Sequence, residues 1–219
     1  AARGKYVLMA DSDDSYDLPC TAFANSPRPG SDVLILRHAE PWTGGIQPAL
    51  QAGRLQVQTS LAQGRIFADG ISPDLGTDST RHNVVLSAYY VNERSSFDTS
   101  QPSLRRLTLR ADGSLGEDEV IPGVENLQVQ LGIDTNGDGG VDRYVDGDNP
   151  LVTDDAAIVA VRLWMLVGTP ADDQGWSDTS SYPAPDADLG DLVAGTDDCR
   201  SSARRIQISK TIYLDNEGS

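Results

Sequence analysis

Histidine and cysteine are nearly missing from this chain, whose 219 residues hold two of each. His38, His82, Cys20 and Cys199 leave little from which to build zinc or nucleophilic chemistry. There is no Gly-x-Ser-x-Gly elbow, no His-Glu-x-x-His and no glycine-rich phosphate loop after a strand. Positive charge is also scarce: 17 Lys and Arg stand against 33 Asp and Glu, a formal net charge of −16. That balance excludes nucleic acid as a partner, because phosphate backbones require basic patches. Long apolar runs are missing too. Ala156–Gly168, the longest, is interrupted by Arg162 and falls short of the roughly 20 residues of a membrane span. No basic-then-apolar signal peptide opens the chain, and no amphipathic helix of more than about three turns is visible.

What is present is period-two alternation bounded by Gly, Pro, Asn and Asp, so the fold class is mainly β. Strands are predicted at 32–37, 54–59, 65–68, 83–91, 104–110, 127–133, 158–167 and 205–214. In the seventh, Val159, Val161, Leu163, Met165 and Val167 share an apolar face, with Arg162 and Trp164 on the opposite side, which has room for a partner or another layer. In the last, Ile206 and Ile208 are expected inward, followed by Ile212 and Leu214 after a shift near Lys210. The stretch Val124–Gln128, following Pro122-Gly123, suggests a short turn of helix. Long loops are expected at 40–53, 69–82 and 168–202, the last acidic and rich in Gly, Pro and Ser. With 38% hydrophobic and 23% charged residues, the chain reads as one folded globular domain over 1–219.

Cys20 and Cys199 lie in polar, acidic contexts, unlike core thiols. A disulfide is the sharper reading and a pair of buried free thiols the bland one. The bond would close nearly the whole chain, contribute up to about 5 kcal/mol, and imply an oxidising, extracytoplasmic compartment.

One short loop concentrates the acids. In Ile133–Asn149, Asp134, Asn136 and Asp138 stand at alternate positions and Gly139 permits a sharp turn. The Gly140 carbonyl and Asp142 follow at the seventh and ninth positions of an EF-hand-type pattern. The twelfth position is Val145 rather than a bidentate Glu, leaving Asp146 or Asp148 to substitute, and no helix flanks the loop. The set Asp134, Asn136, Asp138, Gly140, Asp142 and Asp146 is the candidate metal site within the loop 134–148, and Ca²⁺ the candidate ion. An ordinary hairpin turn is the competing reading, since Asn-Gly and Asp-Gly are common there. Three acids in nine residues, Asp134, Asp138 and Asp142, repel one another without a counter-ion.

The stretch Val33–Pro41 ends in Arg37-His38-x-Glu40 and resembles the motif of histidine phosphatases, which would make His38 the phosphoryl acceptor and Arg37 a phosphate clamp. That family needs a second catalytic His after a later strand. The remaining one, His82, precedes a strand, and the family's helices have no counterpart here. Paired acids can serve a glycosidase, but among 33 nothing singles out a pair.

Several blocks together resemble the PilW-type minor pilins of type IV pilus assembly. They are Asn25–Pro41, with its Gly-Ser-Asp before an apolar strand, then Val120–Val145, Ile158–Val167 and Arg205–Asn216. The resemblance implies a non-enzymatic headgroup of two antiparallel β-sheets with long loops, similar to the larger minor pseudopilins of type II secretion. It implies a place at the pilus tip, in contact with other minor pilins and a tip adhesin, with the calcium-type loop as a structural clip. Minor pilins begin with a prepilin leader and an apolar helix that anchors them in the inner membrane. Residues 1–219 hold no such segment, so the resemblance implies a headgroup lacking its N-terminal helix and reaching the membrane only through it. The rival is a secreted calcium-binding β-sandwich that binds a ligand such as a glycan. Under either reading Trp42 and Trp176, in loops with Gly and Pro, are weak candidates for contact residues, with a structural role as the bland alternative.

Overall fold

The computed structural model describes residues 27–40, 45–153, 155–169, 173–185, 191–194 and 201–214, together with the backbone of 7–10. These residues form strands and turns and no helix. The strands are β1 (Val7–Ala10), β2 (Val33–Ala39), β3 (Gln56–Thr59), β4 (Gly64–Phe67), β5 (Thr80–Asn92), β6 (Ser103–Leu109) and β7 (Leu115–Pro122). Six more follow: β8 (Val124–Asp134), β9 (Arg143–Val145), β10 (Ala157–Gly168), β11 (Ser181–Pro183), β12 (Asp191–Val193) and β13 (Arg205–Tyr213). One sheet has seven strands, with β1-β2-β5-β3-β4 in order and β6 linking β5 to β7. A second has the order β13-β10-β8-β9, and β11 and β12 form a small hairpin. The fold is mainly β, as the alternation predicts, with two main antiparallel sheets, as the resemblance implies.

The chain groups into two compact units. The first is Ala1–Leu8, Ile35–Ala88 and Leu107–Asp118; the second is Met9–Leu34, Tyr89–Arg106 and Glu119–Ser219. In the first, the β3–β5 ladder carries a polar interior: Gln56 and Gln58 are buried. Gln56 Nε2 donates to the Asn83 Oδ1 (3.1 Å) and Gln58 Nε2 to the Ser79 hydroxyl (2.7 Å). Most fully buried apolar side chains belong to the second unit, among them Val124, Leu127, Val129, Leu131, Leu166 and Tyr90.

The second unit is organised by β8. Its partner β10 runs antiparallel to it from Ala157↔Asp134 to Val167↔Val124, and β9 pairs with Leu131–Ile133. Gly30–Ser31–Asp32 binds the backbone of β8 further up: the Asp32 N–H donates to the Leu127 carbonyl (2.8 Å) and the Val129 N–H to the Asp32 carboxylate (2.7 Å). Ser31 Oγ accepts from the Leu127 N–H (3.1 Å). Two of the blocks that suggested the pilin resemblance are thus in direct contact. Such buried partners satisfy strand groups that β9 is too short to reach.

Two expectations are corrected, and the layer expected over the Trp164 side of β10 is present. Val124–Gln128 is the first half of β8, not helix: all five residues are buried and their backbone pairs with Trp164–Val167 of β10 across a register shift. On β10 the face holding Trp164 and Leu166 is the more deeply buried, at 3% and 0% exposure. It packs on Leu192, with Tyr182 and Ala184 against it. The stretch 168–202, read as loop, supplies that cover through β11 and β12. On β13, Ile206, Ile208 and Ile212 are exposed rather than inward, because β13 ends its sheet and little covers it.

Candidate functional site: the acidic loop after β8

Asp134 closes β8 and is 8% exposed. One of its carboxylate oxygens accepts the N–H groups of Asn136 (3.1 Å) and Gly137 (2.6 Å), the other that of Gly139 (2.8 Å). Gly137 and Gly139 have φ of 81° and 83°, the left-handed region that lets successive N–H groups turn toward one acceptor. Those bonds, from Gly139 and Gly137 first, hold the Asp134 carboxyl below its ordinary pKa, while burial and the charge of Asp142 push the other way. Asp142 is also held low, chiefly by the Thr135 hydroxyl (2.6 Å) and N–H (2.7 Å). Asn136 Nδ2 lies 3.1 Å from Asp138 and 3.2 Å from Asp142, bridging the two carboxylates.

The loop therefore brings Asp134, Asn136, Asp138 and Asp142 into one hydrogen-bonded cluster. Gly140 joins through its N–H to Asp138 (2.8 Å). Asp146 is engaged by Gln130 of β8 (3.1 Å). Among the described residues, no group of three or more His, Cys, Asp or Glu is gathered as a metal cluster. The donor set of hard oxygens, with an amide N–H₂ where a cation would neutralise two acids, suits Ca²⁺ in kind.

Elsewhere, His38 is exposed at the end of β2 and bonds the Ala39 carbonyl (3.0 Å). His82 lies within β5, not before it, with Nδ1 donating to the Glu40 carbonyl (3.0 Å) and Nε2 beside the Thr80 hydroxyl (3.1 Å). Both ring nitrogens serve local structure. Trp176 stacks under the Arg204 guanidinium at 4.3 Å; Arg204 in turn pairs with Asp173 (2.6 Å). Cys20, Cys199 and Trp42 lie outside the described residues.

A second cluster was not read from the sequence. The side chain of Arg205, the first residue of β13, is fully buried and binds Glu125 of β8 (2.6 Å) and Asp178 (2.9 Å). Tyr182 donates its hydroxyl to Asp178 (2.6 Å). Burial alone would raise the Asp178 pKa, but the Tyr182 hydroxyl, the Ser180 N–H and Arg205 outweigh it and hold the group far below the carboxylate range. The same burial and the Asp178 charge raise the Tyr182 pKa. The signal available was Glu125 in Pro-Gly-Val-Glu, an acid inside a core strand that demands a partner.

The family model for type IV pilus-assembly protein W, PilW, matches residues 88–216. The chain belongs to the PilW family. The match runs from the second half of β5 through β13 and takes in both clusters just described. No curated protein and no solved structure gives a significant match. PilW membership gives the chain a role in type IV pilus assembly, within that machinery and outside the cytoplasm.

Proposed function

We propose that this PilW-family chain is the headgroup of a minor pilin that acts without catalysis in the complex at the pilus tip. There it contacts other minor pilins and helps present a tip adhesin, after an inner-membrane-anchored stage. The observation that carries the reading is the family match over 88–216, which covers β8, β10 and β13, the framework of the larger core. Ca²⁺ bound by Asp134, Asn136, Asp138, Asp142, the Gly140 carbonyl and Asp146 is part of the proposal, as a clip on the β8–β9 connection. What supports it is one loop that carries three acids, two of them bridged by the Asn136 amide, and whose glycines leave room for rearrangement.

The test is an in-frame deletion of the gene in its own bacterium. Surface pili and twitching motility should be lost or sharply reduced and return with the wild-type gene. Normal pilus number and length in the deletion strain would overturn the reading. Purified protein should also show no aryl-phosphatase turnover that His38→Ala removes.

A further inference from the structure

β13 ends its sheet, and among the described residues no strand lies beyond it. Its ladder with β10 is in continuous register from Ala160↔Tyr213 to Gly168↔Arg205. At the two ends the Leu214 N–H donates to the Val159 carbonyl (2.9 Å) and the Thr169 N–H to the Arg204 carbonyl (2.8 Å). By antiparallel alternation, Ile206, Ile208, Lys210 and Ile212 then turn their backbone groups toward β10. Gln207, Ser209, Thr211 and Tyr213 turn theirs outward. On one face the same strand exposes Ile206 (61%), Ile208 (39%) and Ile212 (45%). Across the register from them, Val167, Met165 and Val161 of β10 continue an apolar strip toward the core.

We propose that the outer edge of β13 is a strand-pairing surface for a second copy of this chain. Charge favours that occupant. From Ser201 to Leu214 there is no acid, in a chain with 33 of them, so at this edge two copies of net charge −16 meet little local repulsion. The pattern is self-complementary as well. An antiparallel pair centred on Ser209 sets Ser209 against itself and Gln207 against Thr211 of the second copy. Ile206 then lies opposite Ile212 in the wide pair, where side chains come closest. Lys210 lies along Ile208 with its methylene stem, leaving the ammonium in water. A lysine on an edge strand also discourages pairing, and the experiment decides between the two effects. A single nine-residue strand pairing buries less than about 1,200 Å², the class of weak encounters. The dimer is therefore expected at high concentration, and more at higher salt. It is independent of the pilus reading.

Sedimentation velocity of the 219-residue chain, from micromolar to millimolar at about 0.15 M salt, should show a concentration-dependent shift from 23.4 kDa toward twice that mass. Thr211→Pro removes an outward N–H and leaves the β10 ladder intact, and Ile212→Glu charges the apolar strip. Each should weaken association at least tenfold with little change in melting temperature. Ser209→Cys should give a covalent dimer on mild oxidation, since directly paired Cα atoms stand about 5.5 Å apart, whereas Lys210→Cys should not. A monomer at all concentrations overturns the proposal. So does a dimer that Thr211→Pro and Ile212→Glu leave unchanged, or a covalent dimer formed equally by both cysteine variants.

Discussion

Asp134 and Asp138 sit four residues apart in one loop and do different work. Asp134 accepts three backbone N–H groups, so it shapes the turn with or without a cation. Asp138 is exposed and accepts only from Gly140 and Asn136 among the bonds described. Ca²⁺ binding to the native state alone raises stability by mass action, so millimolar Ca²⁺ should lift the melting temperature by a few degrees over EDTA. Asp138→Ala should remove that shift and leave the EDTA curve in place. Asp134→Ala should lower the melting temperature in both conditions. Superimposable wild-type curves in Ca²⁺ and EDTA would make the loop a turn only. Gly123 is a second position where one residue decides. Its φ is 80°, and a Cβ there would stand 2.5 Å from the Gly168 carbonyl oxygen. Gly123→Ala should cost about 2 kcal/mol or more, from the left-handed backbone and the clash together, read as a lower urea midpoint with unchanged slope.

At the scale of elements, the Arg205–Glu125–Asp178 triad joins β13, β8 and the segment leading to β11. All three side chains are nearly or fully buried. Arg205→Met should destabilise by about 3–5 kcal/mol, because it strands two buried carboxylates. Arg204→Met, on an exposed pair, should cost well under 1 kcal/mol. Equal effects in urea titrations would mean the burial of the triad is not what matters. These elements also mark the limit of what the sequence discloses. The eight predicted strands all exist, since alternation needs only local contrast. β7 was missed because its acids, in Leu115–Pro122, dilute the pattern, and β9, β11 and β12 are three residues each. Which face is inside depends on what lies over it. On β10 both faces are apolar, and the cover comes from a segment rich in Pro and Asp that alternation does not register. On β13 the isoleucines alternate as core residues do, yet the strand lies at an edge. The acidic loop was legible because its ligand-type residues are contiguous; the triad was not, since 53 residues separate Glu125 from Asp178 and 27 separate Asp178 from Arg205.

Over the whole molecule, two electrostatic effects oppose each other as pH falls. Protonation of surface acids relieves the self-repulsion of a chain at −16, which favours the compact state. Against this stand carboxyls whose folded pKa is depressed: Asp178 in the triad, Asp134 and Asp142 in the loop, Glu119 and Asp112 elsewhere. Burial raises Glu119, but the Ser96 N–H and the Ser95 hydroxyl outweigh it; Asp112 is held low by Ser114. A depressed folded pKa means the unfolded chain takes up protons first. The stability each group contributes is therefore complete above the unfolded value, about 4, and is lost as pH falls through the folded one. The groups of depressed pKa begin to lose their contribution as pH falls through about 4. The melting temperature should thus hold or rise from pH 8 to about 5 and fall steeply below about 4. Asp178→Asn keeps a hydrogen-bonding side chain but no longer takes up a proton on unfolding. It should start from a lower melting temperature at neutral pH and show a shallower acid limb than the wild type. Parallel acid limbs in the two proteins would remove Asp178 as a cause of the acid sensitivity and leave it to the other carboxyls of depressed pKa.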